Sequence, residues 1–179
     1  MSWYERYGRS FYDNYWSSAH RQWGFQEFHA KAVEWLSGCR HVIDAGAGYG
    51  VLTAKLLEMG IDTWAIDLSR LGAKLGPKQF VVASLENPPF KPHLFDGVAA
   101  IEVLEHLDNL TAGFEAVDYL LQRPGRVFIT VPRPDFPSQE HKWRLTAEEW
   151  DRLIRKRYPD SHIERMDDPD RYIFGLDVR

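Results

Sequence analysis

Short apolar runs alternate with segments of helical spacing along most of this chain. An apolar run bounded by polar or turn residues is typical of a buried strand, and apolar positions three or four residues apart are typical of one helix face. The apolar runs predict strands at residues 41–45, 62–67, 79–85, 95–103 and 126–131. The helical spacing predicts helices at residues 25–36, 50–59, 69–75, 109–122 and 146–157. The tail, residues 162–168 and 171–178, has the pattern of a β-hairpin.

These repeated strand–helix units predict an α/β fold with a doubly wound, mostly parallel sheet, because a helical crossover joins each strand to a parallel neighbour. The fourth strand is apolar on both faces, as expected for a central strand that is covered on both sides. The antiparallel C-terminal hairpin brings the sheet to seven strands. We expect a single domain, because the chain has 179 residues and shows no convincing linker or repeat.

The first part of the chain is rich in aromatic residues. They are Trp3, Tyr4, Tyr7, Phe11, Tyr12, Tyr15 and Trp16. One interpretation is a short helix whose rings pack on the domain. The other is a lid over a ligand pocket, which suits Tyr and Trp because each combines an apolar ring with a polar atom. The two interpretations are compatible.

Composition excludes several classes of protein. Hydrophobic residues make up 44% of the chain, which is enough for a sizeable core, and the net charge of −4 argues against a dedicated nucleic-acid binder. Cys39 is the only cysteine, so no internal disulfide forms and a reducing compartment fits. The sequence lacks both a run of 18 apolar residues and a signal-peptide core. We therefore expect a cytoplasmic protein without a membrane partner.

A glycine-rich turn follows the first strand, in the stretch HVIDAGAGYGV at residues 41–51. Gly46, Gly48 and Gly50 lack side-chain bulk, so a ligand can approach the backbone closely between the strand and the helix N-terminus. A dinucleotide fingerprint requires a small residue at position 51, where Val51 stands, and this disfavours a nicotinamide oxidoreductase. The next strand ends in Asp67, 21 residues after Gly46.

The pattern D-x-G-x-G-x-G resembles motif I of the class I S-adenosylmethionine-dependent methyltransferases. The resemblance implies that the glycine turn lies against the methionine part of S-adenosylmethionine and that Asp67 accepts hydrogen bonds from both ribose hydroxyls. The other cofactor-binding residues that it implies are Asp44, Ala45, Leu68, Ser84, Leu85 and Glu102. The family usually has an acid where Ser84 stands, which hydrogen-bonds the adenine amino group. Here a hydroxyl or a backbone group is expected to make that bond instead. Glu102 is expected to flank the cofactor through its backbone alone.

After the fourth strand the chain reads E-V-L-E-H-L, at residues 102–107. This string resembles the ubiquinone-biosynthesis O-methyltransferases and the small-RNA 3′-terminal 2′-O-methyltransferases. In both groups the two acids and the histidine can bind a divalent metal. The second group adds a later histidine in a segment that HKWRLTAEEW, residues 141–150, resembles. The resemblance therefore implies a metal set of Glu102, Glu105, His106 and His141.

Three interpretations of this set stay open. Two carboxylates and two imidazoles suit a divalent ion that holds the acceptor oxygens and lowers the pKa of an attacking hydroxyl. Without an ion, His106 or His141 is the expected general base, with Glu105 as the third catalytic candidate. The third interpretation is structural, with the string capping the fourth strand and packing the loop that follows.

Basic residues gather late in the chain. They are Lys142, Arg144, Arg152, Arg155, Lys156 and Arg157. The simpler interpretation is a solvated helix face with cations near its C-terminal end, where the helix dipole favours them. The alternative is a patch that binds a phosphate-bearing acceptor.

Together these patterns predict a methyltransferase that transfers a methyl group from S-adenosylmethionine to an oxygen of a small-molecule acceptor. Residues 1–37 are expected to form a helical lid or cap, and residues 38–179 the cofactor-binding core. The alternatives are metal-assisted 2′-O-methylation of a terminal RNA ribose and a non-catalytic, methyltransferase-like binding module. The identity of the acceptor and the oligomeric state stay open, because neither the N-terminal aromatic residues nor the 132–145 loop matches a motif that names a substrate.

Overall fold

The computed structural model describes residues 24–136 and 138–179. Within these ranges seven strands form one sheet: β1 (His41–Ala45), β2 (Asp62–Asp67), β3 (Phe80–Val82), β4 (Phe95–Ile101), β5 (Leu121–Pro132), β6 (His162–Met166) and β7 (Arg171–Val178). Five helices pack around it: α1 (Glu27–Leu36), α2 (Val51–Glu58), α3 (Arg70–Leu75), α4 (Leu110–Leu120) and α5 (Ala147–Arg157). A short 3₁₀ turn, Leu104–His106, follows β4.

The strand order is β3-β2-β1-β4-β5-β7-β6. The first five strands in this order are parallel, and β7 runs antiparallel to both β5 and β6. This arrangement confirms the predicted doubly wound, mostly parallel seven-stranded sheet with an antiparallel C-terminal hairpin. The chain moves outward from β1 to β3 and then returns to β4, so a crevice opens where β1 and β4 end. Ligands of open α/β sheets bind in such a crevice.

Two hydrophobic layers cover the sheet. On one face, α1 and α2 pack against Val42 and Phe128, and on the other, α4 and α5 pack against Ile43 and Ile129. Neighbouring residues of a strand point to opposite faces. The central strands are therefore apolar on both sides, as the sequence predicted.

The third and fourth strands end earlier than predicted. Strand β3 stops at Val82, because a turn begins at Ser84, whose hydroxyl accepts from the Glu86 amide at 3.2 Å. Strand β4 stops at Ile101, because Glu102 has a φ of +52° and leaves the extended conformation. Both corrections shorten a strand at its carboxyl end, where the candidate site residues lie.

The fifth strand begins earlier than predicted. It starts at Leu121 and not at residue 126, and the register passes from the Phe95–Leu121 pair directly to the Gly97–Arg126 pair. The intervening residues 122–124 are exposed and bulge out of the ladder. In the sequence these exposed residues have the pattern of a turn, so the strand was predicted to begin after them.

The predicted N-terminal cap is described only in part. The aromatic segment, residues 1–23, lies outside the described residues, so both interpretations of it stay predictions. The described portion is α1, which buries Phe28, Ala32 and Leu36 in the layer that it shares with α2. Across residues 24–136 and 138–179, helices long and apolar enough to traverse a bilayer do not occur.

A buried carboxylate ties β1 to α2. Asp44 is 3% exposed, and its Oδ2 accepts hydrogen bonds from the Thr53 amide at 3.2 Å and the Thr53 hydroxyl at 2.7 Å. Burial raises the pKa of Asp44 to about 6, the Thr53 hydrogen bonds oppose this shift, and the charge of Asp67 adds to it. The bonds hold the first turn of α2 against the end of β1 and so shape the glycine turn between them.

Replacing Asp44 by Asn is expected to remove a pH-dependent component of stability. The pKa of Asp44 rises from 3.8 in the unfolded chain to about 6 on folding. Between these two pH values Asp44 is mostly protonated in the folded protein and mostly ionised in the unfolded chain. The stability that this group contributes therefore falls as the pH rises through the interval. The Asp44→Asn variant keeps an oxygen for Thr53 but does not titrate. Its unfolding free energy, relative to the unsubstituted chain, should increase by about 2–3 kcal/mol across that interval.

Urea denaturation from pH 4 to pH 8 measures this difference. The Thr53→Val variant provides a second test, because it removes a hydroxyl that favours the ionised form of Asp44. In that variant the pH-dependent fall should extend to higher pH. A difference between Asp44→Asn and the unsubstituted chain that stays constant with pH would contradict the interpretation.

Candidate active site

The glycine turn and the acid after β2 form one unit in the crevice. The amides of Gly46 and Ala47 donate to the Ile66 carbonyl at 2.8 and 3.1 Å, which fixes the turn against β2. The Gly48 amide then donates to Asp67 Oδ2 at 2.9 Å, while Oδ1 of the same carboxylate accepts from the Ser69 amide at 2.8 Å. The partly buried Asp67 carboxylate therefore stands directly beside the turn, and its predicted bonds to the ribose hydroxyls stay a prediction.

Close packing requires glycine at two positions around this turn. Gly46 has a φ of +76°, and a Cβ there would lie 2.5 Å from Val103 Cγ2. A Cβ on Gly72, in α3, would lie 2.1 Å from the Gly48 carbonyl oxygen. The segment after β4 and the helix after β2 therefore both press on the turn. The role of Gly72 was not predicted, and its only signal was a small residue within the short helix that follows Asp67.

The remaining cofactor candidates lie at the carboxyl ends of neighbouring strands. Ala45 is the buried last residue of β1, Gly50 precedes α2 with a φ of +74°, and Leu68 follows Asp67 and is half-buried. Leu85 is buried, whereas the Ser84 hydroxyl is used as an acceptor within its own turn. The nearest acid downstream, Glu86, is also occupied, because its Oε1 accepts from the Asn109 amide at 3.0 Å.

Glu102 is directed away from the other predicted metal ligands. Its Oε1 accepts from the Thr130 hydroxyl at 2.8 Å and lies 3.5 Å from Arg171 Nε. Its amide donates to the Thr130 carbonyl at 3.0 Å, which stabilises the strained φ of +52°. Burial raises the pKa of Glu102, and the Arg171 charge and the Thr130 hydrogen bond oppose the rise. The structure thus does not bring Glu102 together with the other three predicted ligands, and the four-residue metal set stays a prediction.

Glu105, His106 and His141 do come together. Each offers one ligand atom, and these atoms all lie within 4.8 Å of one another. Glu105 is fully buried, and neither carboxylate oxygen has a hydrogen-bond partner among the described residues. Burial, followed by the charge of Glu102, raises the pKa of Glu105 well above its ordinary range. Burial therefore favours the protonated form of the Glu105 carboxyl group.

His106 is held as one neutral tautomer. Its Nδ1 lies 3.2 Å from the Glu140 carbonyl oxygen, which only accepts, so Nδ1 carries the hydrogen. Nε2 is then unprotonated and lies 3.6 Å from Glu105 Oε1. Burial, with the nearby His141, lowers the pKa of His106 to about 4. The imidazole is therefore uncharged at neutral pH.

His141 is brought to His106 by the loop after β5. The centres of the two rings are 5.0 Å apart, and the exposed Phe136 stacks on the other side of His141 at 5.7 Å. His141 is more exposed than His106, and burial and the Arg144 charge lower its pKa. Main-chain bonds dock the loop, because the amides of Lys142 and Trp143 donate to the Glu105 carbonyl at 2.8 and 3.2 Å.

Side chains reinforce this docking. The Trp143 indole N–H donates to the Leu107 carbonyl at 2.9 Å, and Lys142 Nζ contacts Asp108. The Arg144 guanidinium donates to the carbonyl oxygens of Pro134, Phe136 and Ser138 and so gathers the loop that bears His141. These roles were not predicted, because no local pattern indicates which distant carbonyl a side chain reaches.

Within the described part of the chain, most of the late basic residues make ion pairs or loop contacts. Arg155 pairs with Asp151 at 2.8 Å and Arg157 with Asp118 at 2.5 Å, while Lys142 and Arg144 serve the loop. Four of the six basic residues in the predicted cluster thus contact acids or carbonyl groups of the same chain. This arrangement favours the simpler interpretation, a solvated helix face with internal ion pairs.

Comparison with known proteins agrees with this geometry. A family model described as a methyltransferase domain matches residues 15–169. A ubiquinone biosynthesis O-methyltransferase of Xylella fastidiosa is 34% identical over 105 residues, which are 53% of this chain and 42% of that relative. An uncharacterized methyltransferase of Mycobacterium tuberculosis is 31% identical over 109 residues, which are 57% of this chain and 44% of the relative. The chain thus spans less than half the length of these two curated relatives.

A solved structure shares the fold along nearly the whole chain. It is the 1,6-didemethyltoxoflavin-N1-methyltransferase of Burkholderia thailandensis with bound 1,6-didemethyltoxoflavin and S-adenosylhomocysteine. The TM-score is 0.73 at 22% identity, over 97% of this chain and 89% of the other. Family model, relatives and fold agree: the chain belongs to the methyltransferase domain family and has the fold of the class I S-adenosylmethionine-dependent methyltransferases.

Proposed function

We propose that this enzyme methylates an oxygen atom of a small molecule without the help of a metal ion. The observation that carries the proposal is the pair of neutral imidazoles, His106 and His141, beside the segment that closes on the glycine turn. A neutral imidazole within reach of an acceptor hydroxyl is a suitable general base. Because the contact between Val103 and Gly46 joins the two halves of the crevice, the acceptor hydroxyl and the methyl donor would meet there.

The chain's own residues divide the work between binding and proton transfer. S-adenosylmethionine, when bound, supplies an electrophilic methyl group on its sulfonium. The glycine turn would receive the methionine part of the donor, and Asp67 would orient its ribose. Since the transfer itself needs little covalent help from the protein, the main contributions are alignment of the acceptor and exclusion of water.

His141 is the better candidate to take the proton from the acceptor. His106 has its Nδ1 engaged by Glu140 and its Nε2 directed toward Glu105, and only 20% of its side chain is exposed. His141 is more open and lies against Phe136, which is 38% exposed and provides an apolar wall. In this arrangement His106 and Glu105 position the His141 ring.

Oxygen is favoured as the acceptor atom by the relatives and by the E-V-L-E-H-L string. The curated relative of Xylella fastidiosa is named an O-methyltransferase, although the Burkholderia structure is an N1-methyltransferase. Metal-assisted methylation of an RNA ribose is less well supported, since Glu102 is directed away and the net charge is −4. A non-catalytic module is the remaining alternative, and the cofactor-binding unit of glycine turn and Asp67 argues against it.

The Asp67→Ala variant tests the cofactor site. It removes the carboxylate expected to bind both ribose hydroxyls, so the Kd for S-adenosylmethionine should rise by about 10- to 100-fold. Asp62→Ala is the matched control, because Asp62 is exposed at the other end of β2 and pairs with His41. Calorimetry measures both affinities. An unchanged Kd in Asp67→Ala would contradict the site, and an unsubstituted chain that fails to bind at millimolar cofactor would leave only the non-catalytic module.

The His141→Ala variant tests the proton acceptor. Loss of the general base should lower kcat by about 100-fold and leave the KM for S-adenosylmethionine unchanged. Formation of S-adenosylhomocysteine is followed with whichever member of a panel of phenols and catechols the enzyme methylates fastest. The control is His162→Ala, which changes an exposed histidine of β6. Unaltered turnover in His141→Ala, or methylation of amines alone, would exclude the proposed reaction.

A chelator separates the proposed reaction from the metal-assisted one. We expect turnover to persist in excess EDTA, because in the proposed reaction His141 takes the proton without an ion and Glu102 is bound to Thr130 and Arg171. The same assay with the same acceptor gives the measurement, and added Mg²⁺ or Mn²⁺ serves as the reversal control. Loss of turnover in EDTA that either ion restores would favour the metal-assisted alternative.

A further inference from the structure

Arg171 joins three elements around Glu102. It is the first residue of β7, and its Nε lies 3.5 Å from Glu102 Oε1 while its Nη1 lies 3.5 Å from Asp168 Oδ1. The guanidinium carbon lies 4.1 Å from the centre of the Phe28 ring, in α1. Only 13% of the Arg171 side chain is exposed. The guanidinium is therefore held between the end of β4, the β6–β7 turn and α1.

The Glu102 carboxylate is anchored from two sides. The Thr130 hydroxyl donates to Oε1 at 2.8 Å from β5, and Arg171 approaches the same oxygen from β7. The backbone of Glu102 is fixed as well, since its amide donates to the Thr130 carbonyl at a φ of +52°. A carboxylate held in this way is not available to the three residues that do converge, Glu105, His106 and His141.

Glu102 is nevertheless a close neighbour of that cluster. It lies three residues before Glu105, and its negative charge acts on the Glu105 carboxyl group. For Glu102 to join the cluster as a fourth donor, its carboxylate would have to leave Thr130 and Arg171. Carboxylate and imidazole donors together suit divalent ions, and partners of the ligating groups tune metal affinity strongly.

We propose that Arg171 is a positioning residue that holds Glu102 away from the Glu105–His106–His141 cluster and thereby keeps this cluster from binding a divalent cation. The guanidinium does so in two ways: it engages the carboxylate that would complete the donor set, and it places a positive charge near the site. The inference deepens the proposed metal-independent reaction and rests on it for its functional meaning. Its test measures metal binding alone. The result can therefore contradict this inference without contradicting the proposed reaction, and the reverse.

Arg133 is the matched control for Arg171. It directly follows β5, and its Nη2 donates to the Asp168 carbonyl at 3.0 Å. Its guanidinium carbon lies 5.2 Å from the centre of the Tyr172 ring. It thus has the same charge, the same neighbouring turn and a similar aromatic contact. Its described contacts do not include Glu102.

The experiment is a calorimetric titration of the full chain with MnCl₂ in the absence of cofactor and acceptor. In Arg171→Met, which keeps an unbranched apolar side chain against Phe28, Mn²⁺ should bind roughly 10- to 100-fold more tightly than in the unsubstituted chain. Arg133→Met should bind as the unsubstituted chain does. The gain should disappear in the double variant Arg171→Met/Glu102→Gln. Near-ultraviolet circular dichroism establishes that each variant is folded.

A second variant frees the Glu102 carboxylate without changing Arg171. Thr130→Val is nearly isosteric and removes the other anchor of the Glu102 carboxylate, so it should also tighten Mn²⁺ binding, by a smaller factor. Equal Mn²⁺ affinity in Arg171→Met, Thr130→Val and the unsubstituted chain would overturn the proposal. An equal gain in Arg133→Met, or a gain that persists in the double variant, would overturn it as well. Activity that proves metal-dependent in the unsubstituted chain would instead refute the proposed reaction.

Discussion

The contact between the glycine turn and β2 is the constraint on which the rest of the site depends. Two successive amides, of Gly46 and Ala47, share the Ile66 carbonyl, and a third, of Gly48, reaches the Asp67 carboxylate. These bonds hold the turn against the end of β2 and leave the crevice between β1 and β4 open. Val103 approaches Gly46 closely, which fixes the segment bearing Glu105 and His106 relative to the glycine turn and Asp67.

Desolvation sets the charge state of the groups that line this crevice. Burial lowers the pKa of both imidazoles and raises the pKa of Glu105, so it favours the uncharged form of all three. Burial also raises the pKa of Glu102, but the hydroxyl donor and the guanidinium beside it oppose this rise. Neither carboxyl oxygen of Glu105 has such a hydrogen bond among the described residues. The two glutamates of one short string therefore have different chemistry.

Sequence patterns predicted the elements whose signals are local. The bounds of β1 and β2 agree with the structure, because the apolar run of each strand ends beside a turn. Strand β5 was predicted too short, since exposed residues 122–124 interrupt the apolar pattern without ending the ladder. His141 was found through its motif. Thr130 and Arg171 were not found, because which distant side chain captures the Glu102 carboxylate depends on strand order and not on spacing along the chain.

The docking of the His141 loop has a consequence for how such a site diversifies. The amides of Lys142 and Trp143 make two of the bonds to Glu105, and amides are present whatever the side chain, proline excepted. The histidine thus stays in register with its partner while the residues around it change. The exposed Phe136 beside it can therefore be replaced without moving the imidazole proposed as the proton acceptor, so the apolar contact and the position of His141 can change independently.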